Sequence, residues 1–135
     1  MATVRKEFVT QAGTEAVWDA IRDVGALHTR LAPGFVTATT LENGTRRVTF
    51  ANGLTVREPI VTIDDTSKRL VWSSQGGRTT HYNASLQAFP ENGGSRVVWL
   101  VDLLPDDAAL AIETAMNAGV AAMQKALDRL ATAAN

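Results

Sequence analysis

The chain has no cysteine. Disulfides, thiolate nucleophiles and cysteine metal sites are therefore all excluded. Histidine is nearly as scarce, with only His28 and His81. No histidine-rich metal motif, Ser-His-Asp spacing or glycine-rich phosphate loop is present, so neither a metal nor a cofactor is expected. No apolar run approaches the roughly 20 residues of a spanning helix. The opening run Met1-Ala2-Thr3-Val4-Arg5-Lys6 lacks the apolar stretch of a signal peptide. A cytoplasmic location is the default expectation. Excess charge is lacking too: the formal net charge is −1. That argues against a nucleic-acid partner, which demands a basic face, and gives no electrostatic pull toward an anionic membrane.

What is present suits one globular domain spanning residues 1–135. Apolar residues make up 45% and charged residues 20%, a balance that excludes disorder, and the length suffices for a sizeable core. There are no repeats and no linker. Thr3 to Thr10 reads as a short strand. Thr14 is placed to cap a helix with Glu15 in its first turn and Val17, Trp18 and Ile21 at helical spacing. A second helical piece, Val24 to Leu31, sets Leu27 and Leu31 one turn apart and stops at Pro33-Gly34. From Phe35 to Leu104 the pattern is strands and turns. Asn43-Gly44, Asn52-Gly53 and Asn92-Gly93 are hairpin signals, because both residue types tolerate positive φ. Gly76-Gly77 marks a further reversal. Pro105-Asp106-Asp107 opens a last helix with an apolar stripe of Met116, Val120, Met123, Leu127 and Leu130. A strand meander with one apolar face needs a cover, and this helix is the only long element available.

The turns fix register, and register fixes faces. A two-residue turn at Asn92-Gly93 sets Leu86 opposite Trp99, Ala84 opposite Val101 and Tyr82 opposite Leu103, one inner face. Asn83, Asp102, Ser85 and Gln87 fall on the outer face. At Asn52-Gly53 a two-residue loop mixes the faces. A three-residue loop, Ala51-Asn52-Gly53 with Gly53 left-handed, sets Phe50 opposite Leu54 and Val48 opposite Val56. Arg46 then faces Glu58, and both point inward, with Ile60, Leu70, Trp72 and Ser74 in the same phase. A carboxylate on a core face is costly unless paired or wet. Glu58 is thus either half of a structural pair with Arg46 or a polar handle in a water-accessible cavity.

On the last helix Ala115, Ala118, Gly119 and Ala122 lie beside the stripe. Small residues facing a concave sheet leave volume unfilled, or allow close packing. The candidate ligand-facing residues are Arg46, Phe50, Glu58, Trp72, Ser74, Tyr82, Trp99, Met116, Val120 and Met123. His81 falls on the outer face. His28 sits on the short second helix, near the expected mouth. Asp64-Asp65 and Asp106-Asp107 read as turn and helix-start carboxylates rather than metal ligands.

These residues, in this order, resemble the START-related helix-grip superfamily, in its polyketide cyclase/dehydrase-like branch (SRPBCC). The resemblance covers nearly the whole chain. It is carried by Val17-Trp18-Asp19-Ala20-Ile21, Arg57-Glu58, Ile63-Asp64-Asp65, Gly76-Gly77, Tyr82 and the run Trp99 to Pro105. It implies an α+β fold: a curved seven-stranded antiparallel sheet wrapped around a long C-terminal helix, with two short helices after the first strand. It also implies a hydrophobic tunnel. Members bind lipids, hormones and polyketides, and a minority are cyclases, dehydratases or hydrolases. Glu58 and Tyr82 match ligand-facing positions of the plant abscisic-acid receptors. Their ligand-anchoring lysine and proline-containing gate loop have no counterpart here. The expected function is binding of a hydrophobic, lipid-, hormone- or polyketide-like molecule, by a monomer or homodimer. The alternative is a cyclase or dehydratase in which Glu58 and Tyr82, with Arg46, polarise a carbonyl. A third reading is an accessory subunit with a collapsed cavity.

Overall fold

The computed structural model describes residues 1–133, and side chains as far as residue 132; the last two residues of the expected domain lie outside the described residues. Strand β1 (Ala2–Thr10) leads into helix α1 (Thr14–Arg22). A 3₁₀ turn (Val24–Ala26) and a π-helical turn (Leu27–Leu31) follow. Then come β2 (Val36–Glu42), β3 (Thr45–Phe50), β4 (Thr55–Asp64), β5 (Arg69–Ser73), β6 (His81–Glu91) and β7 (Gly94–Leu104). A 3₁₀ turn (Asp106–Ala108) precedes helix α2 (Ala109–Ala133). The seven strands form one antiparallel sheet in the order β1-β7-β6-β5-β4-β3-β2. This is the helix-grip arrangement that the resemblance implies.

The turns act as their residues dictate. Asn43 and Gly44 have φ of 52° and 75°, and Asn92 and Gly93 have 50° and 83°, the paired positive values of a tight hairpin whose twist matches its strands. Pairing across the second hairpin is that read from sequence: Leu86 with Trp99, Ala84 with Val101, Tyr82 with Leu103. The β3–β4 hairpin takes the three-residue form. The Phe50 N–H donates to the Leu54 carbonyl at 2.8 Å, Gly53 has φ of 90°, and Val48 pairs with Val56 and Arg46 with Glu58.

One phase shift escapes a simple parity rule. The β4–β5 register slips between Ile60 and Thr62, so Ile60 pairs with Trp72 and Ile63 with Leu70. A bulge at this point bends the strand and brings two isoleucines three residues apart onto one face. The β4–β5 turn is held by Asp64, whose Oδ1 accepts the Thr66 and Ser67 N–H groups. Its neighbour Asp65 accepts from the Trp18 indole and from Arg22 Nε, both at 2.8 Å, and so ties α1 to the sheet. Arg30 bonds Asp19 and Asp23 and ties the π-helical turn to α1.

Two local expectations are corrected. Thr14 does not cap α1. Gly13 occupies the N-cap position in extended conformation and no side chain caps the helix. The Val17 N–H bonds the Gly13 carbonyl at 3.0 Å instead. On α2, Ala115 and Ala118 are exposed and do not face the sheet. The fully covered line of α2 is Met116, Met123, Ala126 and Leu127, with Val120 and Leu130 half-buried at its flank. Gly119 belongs to the sheet-facing side as well: a Cβ there would sit 2.8 Å from the Trp99 ring. Lacking one, the helix turns that position onto the indole.

Candidate functional site

Arg46 and Glu58 form a buried ion pair on the inner face of the sheet. Both residues are covered, at 2% and 5% exposure. Arg46 Nε donates to Glu58 Oε1 at 2.8 Å, and its Nη1 reaches the Val24 carbonyl at 3.4 Å. The guanidinium carbon lies 5.1 Å from the centre of the Trp72 ring, a cation–π distance. β3 and β4 position the ion pair, β5 supplies the aromatic floor, and the turn after α1 supplies the last acceptor. Such a desolvated pair survives in a core only with close geometry and further hydrogen bonds. Here it has both.

Burial pushes the Glu58 carboxyl above its ordinary pKa, while the Arg46 charge and hydrogen bond pull it back. The Trp72 indole favours the charged carboxylate in the same sense, yet closes no hydrogen bond of good geometry. Tyr82 is pushed well above the usual phenol range, first by burial and then by the Glu58 charge. It therefore stays protonated at neutral pH and is not a base.

Beside the pair lies a space of about 50 Å³. Arg46, Glu58, Trp72 and Tyr82 bound its polar side. Phe50, Trp99 and Met123 bound it elsewhere, together with Leu27, Leu31, Phe35 and Gly119. Seven of the ten candidate residues thus converge. Ser74, Met116 and Val120 do not line it. Ser74 follows β5, and its N–H is bound to the Tyr82 carbonyl. Met116 is core one turn away from Gly119, and Val120 lies on the flank of α2. His28 is half-buried on the π-helical turn but does not reach the space, and His81 is exposed at the end of β6.

Of the lining residues with no assigned role in the sequence reading, Ala32, Phe35 and Val36, Phe35 is the largest. It packs edge-on to Phe50, with ring centres 5.2 Å apart, and stands over Gly119. Its carbonyl accepts from the Ala51 N–H at 3.0 Å. A single aromatic directly after Pro33-Gly34 was the available signal. These contacts fill most of the hollow expected from the small residues of α2. The remaining volume is far below the roughly 300–1,000 Å³ of ordinary ligand pockets. Among the described residues no group of acidic or histidine side chains is placed to hold a metal ion, and no helix is long and apolar enough to cross a membrane.

Comparisons with known proteins agree with this geometry. A Bacillus thuringiensis protein shares the fold with a TM-score of 0.82 at 20% identity, over 93% of this chain and 98% of that one. A Thermus thermophilus protein matches with a TM-score of 0.70 at 25% identity, over 99% of each chain. Norcoclaurine synthase from Thalictrum flavum, in complex with dopamine and hydroxybenzaldehyde, matches with a TM-score of 0.73 at 16% identity, over 99% of this chain and 88% of that one. No curated protein matches in sequence. The family model described as polyketide cyclase / dehydrase and lipid transport matches residues 1–135. The chain belongs to that polyketide cyclase / dehydrase and lipid transport family.

Proposed function

We propose that the chain binds a small hydrophobic molecule between the sheet and α2, with its polar end toward Arg46, Glu58 and Tyr82. The observation that carries this is the placement of a buried ion pair and a phenol at one side of a space otherwise walled by Leu27, Leu31, Phe35, Phe50, Trp99 and Met123. A purely structural pair gains nothing from lining a space, and an apolar core gains nothing from containing one. The family description points the same way. So does the small aromatic pair held by norcoclaurine synthase.

A ring-sized ligand needs more room than about 50 Å³. Side chains, not strands, supply it. Phe35 sits on a loop and Met123 has three rotatable bonds, so both yield more cheaply than the sheet. Binding is therefore expected to carry an opening cost and to be of modest affinity for rigid ligands. Native mass spectrometry and thermal-shift measurements across a panel of lipids, polyketides and small aromatics test the proposal. A bound species, or a raised melting temperature for some members, is the expected result. No bound species and no shift across the panel refutes it.

Binding ranks above catalysis because Arg46 holds the Glu58 carboxylate. A general base must first release that partner. The enzymatic alternative makes a separate demand: with a confirmed substrate, Glu58→Gln abolishes turnover and largely spares binding. Turnover that survives this change removes Glu58 as acid or base.

A further inference from the structure

The chemistry of the ligand's polar end can be read from the hydrogen-bond inventory around the space, given the binding reading above. Trp72 and Trp99 are 5% and 8% exposed, and both line the space. The indole N–H of each is covered and closes no hydrogen bond of good geometry, although that of Trp72 lies near the Glu58 carboxylate. An indole N–H only donates, so each needs an acceptor atom to complete it. The same wall carries further donors. The Tyr82 hydroxyl is held protonated by its surroundings. Arg46 commits Nε to Glu58 and only a long Nη1 contact to Val24, leaving guanidinium N–H groups over. Against these stand the Glu58 carboxylate, one oxygen of which Arg46 engages, and the Tyr82 hydroxyl oxygen.

Donors thus outnumber acceptors on the polar side. A buried donor left without a partner keeps its full desolvation cost, so whatever fills the space is selected for the atom that meets it. A hydrocarbon brings no such atom. A protonated amine brings more donors and places a cation beside Arg46. A ketone or other carbonyl oxygen brings two lone pairs and no charge. Because Trp72 and Trp99 sit on β5 and β7 of the sheet, their N–H groups stay in place while Phe35 and Met123 yield.

We propose that the site selects hydrophobic ligands bearing a carbonyl-type acceptor oxygen, which the indole N–H groups of Trp72 and Trp99 receive. Three probes with one carbon skeleton test this: 1-tetralone, tetralin and protonated 1-aminotetralin. Affinities come from calorimetric titration of the full chain. The indole Nε1–H signals are followed in parallel by ¹⁵N-correlated NMR. The expected result is that 1-tetralone binds about tenfold more tightly than tetralin, the equivalent of one net hydrogen bond, with the amine weakest. Both indole signals move downfield with 1-tetralone and not with tetralin. In Trp72→Phe and Trp99→Phe the ratio of the two affinities falls toward one. The wild-type NMR titration carries the test if either variant does not fold.

Equal binding of 1-tetralone and tetralin, indole signals unmoved by the ketone, or preference for the amine overturns the acceptor inference while leaving the binding reading standing. If none of the three binds, the binding reading itself fails for ring-sized ligands, and the acceptor inference falls with it.

Discussion

Arg46→Met leaves the Glu58 carboxylate at 5% exposure with its strong partner gone. Among the described residues only the Trp72 indole lies near it as a second donor, and that indole makes no good bond. Breaking a buried pair from one side costs about 3–5 kcal/mol, a large share of the roughly 5–15 kcal/mol that holds a domain together. The cost depends on pH. Burial raises the Glu58 pKa and Arg46 opposes that rise, so without Arg46 the folded-state value climbs further. A carboxyl whose folded pKa lies above its unfolded value binds more protons in the folded state. Its contribution to stability is complete below the ordinary value of 4.5 and is lost as pH rises toward the folded value. The variant's deficit relative to wild type is therefore small near pH ~4 and full near pH ~7. Glu58→Leu alone strands the guanidinium and is also destabilising. Arg46→Met with Glu58→Leu replaces the pair by apolar volume and recovers most of the loss. Urea unfolding followed by circular dichroism, on the two single variants and the double at both pH values, measures all of this. If the double variant loses the sum of the singles, or if the Arg46→Met deficit is the same at both pH values, the two residues are not the coupled, water-excluded pair described.

Other perturbations follow from particular contacts. Gly119→Ala places a methyl 2.8 Å from the Trp99 ring, and overpacking of this kind costs about 1–3 kcal/mol; a melting temperature equal to wild type contradicts the close approach. Gly94→Ala drives a methyl onto the Thr10 carbonyl where β1 meets β7. That clash has only backbone to push against, so chemical denaturation is expected to show a larger loss than for Gly119→Ala, and an equal or smaller loss contradicts it. Asp65 has its pKa lowered by the hydrogen bond from Arg22 and then by that from Trp18. Its contribution is present above the ordinary carboxylate pKa of 3.8 and lost as pH falls through the lowered value. Asp65→Asn therefore flattens the acid limb of the melting temperature against pH, and an unchanged limb counts against the anchor.

Register was the most legible feature. Asn-Gly pairs announce their turns, and alternation of polarity then leaves one reading for each hairpin. The inward Arg46–Glu58 row followed from choosing the three-residue loop at Ala51-Asn52-Gly53, the form the backbone adopts. The bulge near Val61 was not legible, because a one-residue slip depends on the curvature demanded by the whole sheet rather than on its own residues. The face of α2 was legible to within one position. Both Val120 and Gly119 fit helical spacing, and glycine carries no apolar weight, so the stripe was drawn through Val120. Gly119 was read beside that stripe, and the structure adds how closely Trp99 approaches it. That same approach made the hollow smaller than expected, since small helix residues were read as leaving space and one of them instead admits an indole. Phe35 escaped notice because a lone aromatic in a loop has no period to reveal it.

The three methionines provide the most direct test of the ligand site, because each samples a different environment. Met123 lines the space, Met116 is core away from it, and Met1 is 66% exposed. Methyl NMR of methionine-labelled protein, titrated with 1-tetralone, should move the Met123 signal strongly, the Met116 signal weakly and the Met1 signal not at all. A titration that moves only Met1, or leaves all three in place at saturating probe, contradicts a ligand site between the sheet and α2.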